Sequence, residues 1–398
     1  MKYLMISFSG AADQPAEELG GKTPLEVAKI PNMNHFTKVG KLGSVKLSPD
    51  RHEPSSDTAF LNLLGYDADK VYTGRGPLEA ANLDLELEEN EIPFRMNFIT
   101  ESSGNLADPT AGAISTKEGK ALINFLNKKV ASGFVRFFAG SGYKHVAVLK
   151  DSHGYNALSA RTVSPEAIIG EPIEANFPKG PGEELLKKLM FDARLLLQDH
   201  EVNQVRVDLG ENPANMIWLW GQGQPPKLEK FSERHGLSGA LVSPAEYAKG
   251  AARLAGLTVV DLAEETGVPE VDNERMAKAV IEALKEKDFV CCHAPSCDEA
   301  SRFGDLKGKI SAIEALDYFF LSHVRDYLDA HKDTRVLITP ALAAPWKMRK
   351  HVRDAVPFLV TGKNIMPDEA EKFSELAAKS VENKVANGRE LIDSFLAK

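Results

Sequence analysis

The chain has 398 residues, 43% of them hydrophobic and 26% charged, with a formal net charge of −9. That composition is ordinary for a globular protein of one large or two moderate domains. The negative balance gives no electrostatic footprint for nucleic acid or anionic lipid, and no run nears the ~20 apolar residues of a membrane span.

In chain order, residues 3–8 read as a buried strand closed by a Gly10-Ala11-Ala12-Asp13 turn, in preference to a weak signal peptide. A helix follows at about 34–39. Another, at 57–64, comes after Pro54-Ser55-Ser56 and puts Ser56 at or beside a helix N-terminus. Strands are expected at 94–99, 145–149, 216–220, 239–242, 258–261, 288–292 and 335–339. Helices are expected at 183–198, 273–286 and 309–328, with Gly/Pro loops at 180–182 and 221–226. Residues 228–235 and a C-terminal helix at 368–397 read as solvated amphipathic surface. The alternation predicts a largely parallel sheet covered by helices. Cys291, Cys292 and Cys297 fall in one segment, which is no disulfide framework and suits a reducing cytoplasm.

Several segments carry a resemblance: Glu18-Leu19-Gly20-Gly21-Lys22-Thr23-Pro24, Pro31-Asn32-Met33, Leu64-Gly65-Tyr66-Asp67 and Tyr72-Thr73-Gly74-Arg75-Gly76-Pro77-Leu78-Glu79-Ala80. Phe94-Arg95-Met96-Asn97, Ile217-Trp218-Leu219-Trp220-Gly221, Asp298-Glu299-Ala300 and Val356-Pro357-Phe358 continue it in order across nearly the whole chain. Together they resemble the archaeal-type cofactor-independent phosphoglycerate mutases, members of the alkaline phosphatase superfamily, with their bacterial relatives. The resemblance implies an α/β fold: an alkaline-phosphatase-like, mostly parallel sheet with helices on both faces, interrupted by an inserted α/β domain. Residues 1–80 and 213–398 would form the phosphatase-like domain. Residues 81–212 would form the insert, which holds the glycerate and helps to shuttle the phosphoryl group.

The family activates a serine with two divalent metals, which lower the hydroxyl pKa and clamp the transferring oxygens. Ser56 aligns with that nucleophile; without the resemblance it reads as a helix N-cap. Of seven metal and nucleophile positions, Ser56, Asp298 and His351 remain, whereas Ser9, Arg302, Ala341 and Leu342 stand where the family has ligands. Alanine and leucine donate nothing to a metal, and a guanidinium repels one. Arg302, four residues beyond Asp298, is expected to pair with it across one helix face. The cysteines are expected to pack as core residues, with Cys297 and His293 as a less favoured substitute metal site.

The resemblance places Arg75 and Arg95 at anion-binding positions, and Asn97 shares a strand face with Arg95. Lys144 stands where arginine is common, and Ala113 where relatives carry His or Arg. Arg206 and Lys278 are further candidate anion contacts, each balanced against an ordinary ion-pair reading. The resulting expectation is a family member without conventional mutase activity. It would bind a small phosphorylated or carboxylated molecule in an interdomain cleft, with no cofactor or one divalent metal at most. Altered phosphoryl or phosphonate chemistry at Ser56, and an ordinary cofactor-independent mutase, are the competing readings. No nucleic-acid or membrane partner is expected, and the expected location is the cytoplasm.

Overall fold

The computed structural model describes residues 1–151, 154–262 and 269–397, without the side chains of 269–271. The chain divides into two compact units, Met1–Tyr72 with Lys227–Lys398, and Thr73–Pro226. The divisions fall after Tyr72 and Pro226 rather than at residues 80 and 212. The reason is pairing: strand Met216–Trp220 bonds antiparallel to Glu91–Ser102 and so joins the inserted unit's sheet.

The first unit holds an eight-stranded sheet in the order Lys384–Val385, Gly40–Val45, Val356–Gly362, Thr334–Thr339, Lys2–Phe8, Phe289–Ala294, Gly239–Val242, Thr258–Val260. Lys2–Phe8 is central and runs parallel to both neighbours; among the described residues only the two pairings of Val356–Gly362 are antiparallel. Side chains alternate along a strand, so this one must satisfy two faces. Leu4, Ile6 and Phe8 pack with Met276, Val280 and Phe320 on one side. Tyr3 meets Phe395 edge-to-face on the other, with ring centroids 5.6 Å apart. Helices therefore cover both faces.

The single amphipathic helix expected at 368–397 is instead two helices, Glu375–Ser380 and Gly388–Leu396, separated by strand Lys384–Val385. Ser374 and Asn387 each cap their own helix, accepting from Ala377 N and Glu390 N. The segment is not solvated surface, since Leu391, Ile392 and Phe395 are buried. Strands Gly40–Val45 and Val356–Gly362 form in addition to the expected ones, although Gly and Lys in the first and Pro357 in the second weaken their strand pattern.

The second unit is built on an antiparallel sheet in which Glu91–Ser102 pairs with Asn105–Asp108, Lys144–Lys150 and Met216–Trp220. Helices Thr116–Lys129 and Glu183–Leu197 supply Leu122, Leu126, Leu186 and Met190 to its core. Among the described residues no helix is long and apolar enough to cross a membrane.

Candidate active site

In an open parallel sheet, sites form beyond the carboxyl ends of the strands, where successive loops diverge. Ser9 and Gly10 follow the central strand, the helix Ser296–Arg302 follows Phe289–Ala294, and Ala341 and Leu342 follow Thr334–Thr339. Gly10 has φ +76°, and a Cβ there would lie 2.6 Å from Asp298 Cα. Only glycine permits that approach.

Ser56 is the first residue of helix Ser56–Leu63, and Ser55 is its N-cap, with Ser55 N donating to Thr58 Oγ1. The capping reading of Ser56 thus belongs to its neighbour, and the Ser56 hydroxyl turns to other partners. Ser56 Oγ donates to Asp298 Oδ2 at 2.6 Å, and Arg302 donates to Asp298 Oδ2 at 2.9 Å and to Ser56 Oγ at 3.2 Å. His351 Nε2 lies 2.5 Å from Asp298 Oδ1, and its Nδ1 lies 3.3 Å from Pro54 O. The expected Asp298–Arg302 pair is therefore present, across one face of Ser296–Arg302. Burial alone would push the Asp298 carboxyl up, but Arg302 and His351 beside it, with the Ser56 bond, hold it well below the usual carboxylate range. Asp298 is thus an anion.

Among the described residues no three His, Cys, Asp or Glu side chains gather as a metal cluster. Ala341 and Leu342 are buried and bring no donor. Ser9 Oγ is buried without a hydrogen-bond partner. Ser56, Asp298 and His351 converge as one hydroxyl, one anionic carboxylate and one imidazole, but the Arg302 guanidinium bonded to Ser56 Oγ and Asp298 Oδ2 stands among them, so the donors as arranged fit a divalent cation only if Arg302 withdraws. Cys297 and His293 do not join them. His293 bonds Tyr247 Oη at 2.7 Å and Ser7 Oγ at 3.0 Å, and burial pushes the Cys297 thiol up to about 12. All three cysteines are free and buried.

In the second unit Arg95 and Asn97 share a face as expected, and Arg95 Nε donates to Asn97 Oδ1 at 2.7 Å. Trp220 Nε1 donates to the same oxygen at 3.2 Å, and Lys144 is the cross-strand partner of Asn97. Sequence reasoning missed Glu79, which is buried and ion-paired to Arg95 and, through Nε at 3.0 Å, to Arg75. The i,i+4 spacing of Arg75 and Glu79 was the available signal. Arg206 serves the fold: it is buried and donates to the carbonyls of Ala111, Gly112 and Asn212 and to Glu118. Those bonds hold a loop in which Ala111 and Ala113 both have φ +50°. Lys278, in the first unit, is an exposed lysine 3.9 Å from Glu274.

A family model described as 2,3-bisphosphoglycerate-independent phosphoglycerate mutase matches residues 37–203. A protein of that name from Methanothrix thermoacetophila is 37% identical over 398 residues, 100% of both chains. The Methanothermobacter thermautotrophicus 2,3-bisphosphoglycerate-independent phosphoglycerate mutase 2 is 38% identical over 95% of this chain and 93% of its own. Among solved structures, a Pyrococcus horikoshii protein superposes with a TM-score of 0.78 at 27% identity, covering 99% of this chain and 96% of its own. The cofactor-independent phosphoglycerate mutase of Thermoplasma acidophilum, with a TM-score of 0.59 at 24% identity over 100% and 99%, shares the fold.

These comparisons overturn two expectations. A chain without conventional mutase activity does not follow when full-length relatives at this identity carry the mutase name. The expectation of no cofactor, or one divalent metal at most, falls with it, because the resemblance is to mutases that work with metals. Both rested on counting donors along the chain, and a count does not register that Ser56, Asp298 and His351 still converge in space.

Proposed function

Because the chain belongs to the family of 2,3-bisphosphoglycerate-independent phosphoglycerate mutases, we propose that it moves a phosphoryl group between the 2- and 3-hydroxyls of glycerate, with Ser56 as the carrier. The observation that carries this reading is the buried Ser56 hydroxyl bonded to Asp298 and reached by Arg302. Ser56 Oγ attacks phosphorus and its proton passes to Asp298 Oδ2. The bond from phosphorus to the glycerate oxygen breaks, and that oxygen takes the proton. The reverse sequence at the other hydroxyl completes the exchange.

Asp298 is a weak base as an isolated group, given how firmly Arg302 and His351 hold its charge. Its role is to accept the proton transiently and orient the hydroxyl, with His351 sharing the load on Oδ1. Arg302 brings a fixed positive charge to the nucleophile's own oxygen, where negative charge gathers as the proton leaves. The N-terminus of Ser56–Leu63 adds backbone N–H groups that favour a phosphate ester on Ser56. The metal chemistry of the family, which lowers the hydroxyl pKa and neutralises the phosphoryl oxygens, would need Arg302 displaced from Ser56 and Asp298.

Arg75 and Lys144 are the cationic groups for the acid, while Glu79 orients Arg75 and fixes Arg95 against Asn97. The free thiols suit a reducing cytoplasm. The test is a coupled assay of 2- and 3-phosphoglycerate interconversion with added manganese. Turnover that Ser56→Ala abolishes is expected; turnover unchanged in Ser56→Ala overturns the assignment.

A further inference from the structure

We propose that Lys309 is a positioning residue for the Ser56 site, a buried cation that pins together the two loops against which Asp298 and His351 rest. Lys309 lies in helix Leu306–Ala315 and its side chain is 0% exposed. A desolvated ammonium is costly unless each of its three protons finds an acceptor. They meet Asp13 Oδ2 at 2.5 Å, Ala344 O at 2.9 Å and Ala12 O at 3.3 Å.

Those acceptors lie on two different loops, one following the central strand and one following Thr334–Thr339. The loops are also bonded to each other: Ala344 N donates to Ala12 O at 3.0 Å, and Trp346 N to Asp13 Oδ2 at 3.2 Å. Each then hands the constraint to a site residue. Gly10, on the first loop, abuts Asp298 so tightly that no Cβ fits. Ala343 O, on the second, accepts from Val352 N at 3.0 Å, and Val352 follows His351 directly. Asp13 is braced from behind, since its N–H donates to Glu375 Oε1 at 2.8 Å. A compact ammonium with three divergent donors suits this site, whereas a planar guanidinium is larger and points its donors in one plane.

The kinetic part of this inference rests on the proposed mutase reading; the geometric part does not. The variant is Lys309→Met/Asp13→Asn in the full chain, which removes the pair without leaving a lone buried charge. The control is Leu284→Ala, a core change elsewhere in the same unit. Hydrogen exchange at the Val352 amide and the His351 imidazole NMR signals, assigned with His351→Gln, are read in both. At matched global stability the double variant is expected to exchange Val352 about tenfold faster than the control and to shift His351. Its mutase kcat is expected to fall about tenfold or more with KM nearly unchanged. Exchange and imidazole signals equal to those of the control overturn the proposal. Absence of mutase turnover in the unmodified protein sinks only the reading it rests on, since the exchange and NMR readouts still decide. If the double variant does not fold, Lys309→Arg, which keeps the charge but not the three divergent donors, is expected to speed Val352 exchange severalfold, and no change there is equally decisive.

Discussion

His351 Nε2 and Asp298 Oδ1 are 2.5 Å apart although 53 residues separate them in the chain, and the same carboxylate holds Ser56 through its other oxygen. Substituting His351 removes one of the groups that keep Asp298 oriented. We expect His351→Gln to lower kcat by about 100-fold with a smaller effect on KM. Steady-state kinetics check this, and a change confined to KM contradicts it.

Metal removal probes the donor set. Dialysis against a chelator is expected to abolish interconversion, and manganese to restore it. Asp298→Asn should weaken the metal bound per chain in elemental analysis by replacing an anionic donor with a neutral one. Full turnover in metal-stripped protein is the contrary result.

Glu79 neutralises two arginines from within the second unit. Glu79→Gln leaves a buried guanidinium without its counter-charge, so it should destabilise the protein by about 3 kcal/mol. Chemical denaturation measures this. Arg95→Met combined with Glu79→Gln should recover part of the loss, because the more deeply buried of the two guanidinium groups goes with its counter-charge.

His145 lies buried against Phe98, with ring centroids 4.8 Å apart, and burial, aided by the charge of Arg95, lowers its pKa to about 3. The unfolded chain binds this proton near pH 6.5 and the fold refuses it. The stability it contributes is therefore complete above pH 6.5 and is lost as pH falls toward 3, at about 1.4 kcal/mol per pH unit. Denaturation between pH 7 and 4.5 should show this slope, flattened by about one proton in His145→Asn.

Glu375 works in the opposite sense. Burial raises its pKa against the bonds it accepts from Thr23 and Asp13 N. A raised acid binds its proton more tightly folded than unfolded. Its contribution is greatest at acid pH and is lost as pH climbs through the raised value. Glu375→Gln should remove that decline and leave stability near pH 8 equal to or above that of the unmodified chain, by melting curves across pH 5–8.

Much of this was legible beforehand where the chemistry is local. Met216–Trp220 and Gly239–Val242 fall where their apolar runs put them. The Asp298–Arg302 pair follows from its i,i+4 spacing once the family resemblance makes the segment helical. Partners distant in sequence were not legible. Nothing around Arg95 announces Glu79, and nothing around Lys309 announces Asp13, because only folding decides which buried cation meets which anion. Arg206 misled for the same reason: an arginine that serves backbone carbonyls looks, in sequence, like one that awaits a phosphate. The C-terminal segment misled differently, since apolar spacing ran through two helices that Ser374 and Asn387 start separately.

The central position of Lys2–Phe8 also sets an order of events at the ribosome. Its two neighbours, Phe289–Ala294 and Thr334–Thr339, are translated long after it, whereas Thr73–Pro226 is one continuous stretch. At ordinary synthesis rates the first strand waits roughly tens of seconds for its partners, an apolar segment with unmet N–H and C=O groups. The inserted unit can complete its antiparallel sheet meanwhile. It would emerge as an already folded loop between two halves that close around the first strand only when the nascent chain is nearly finished.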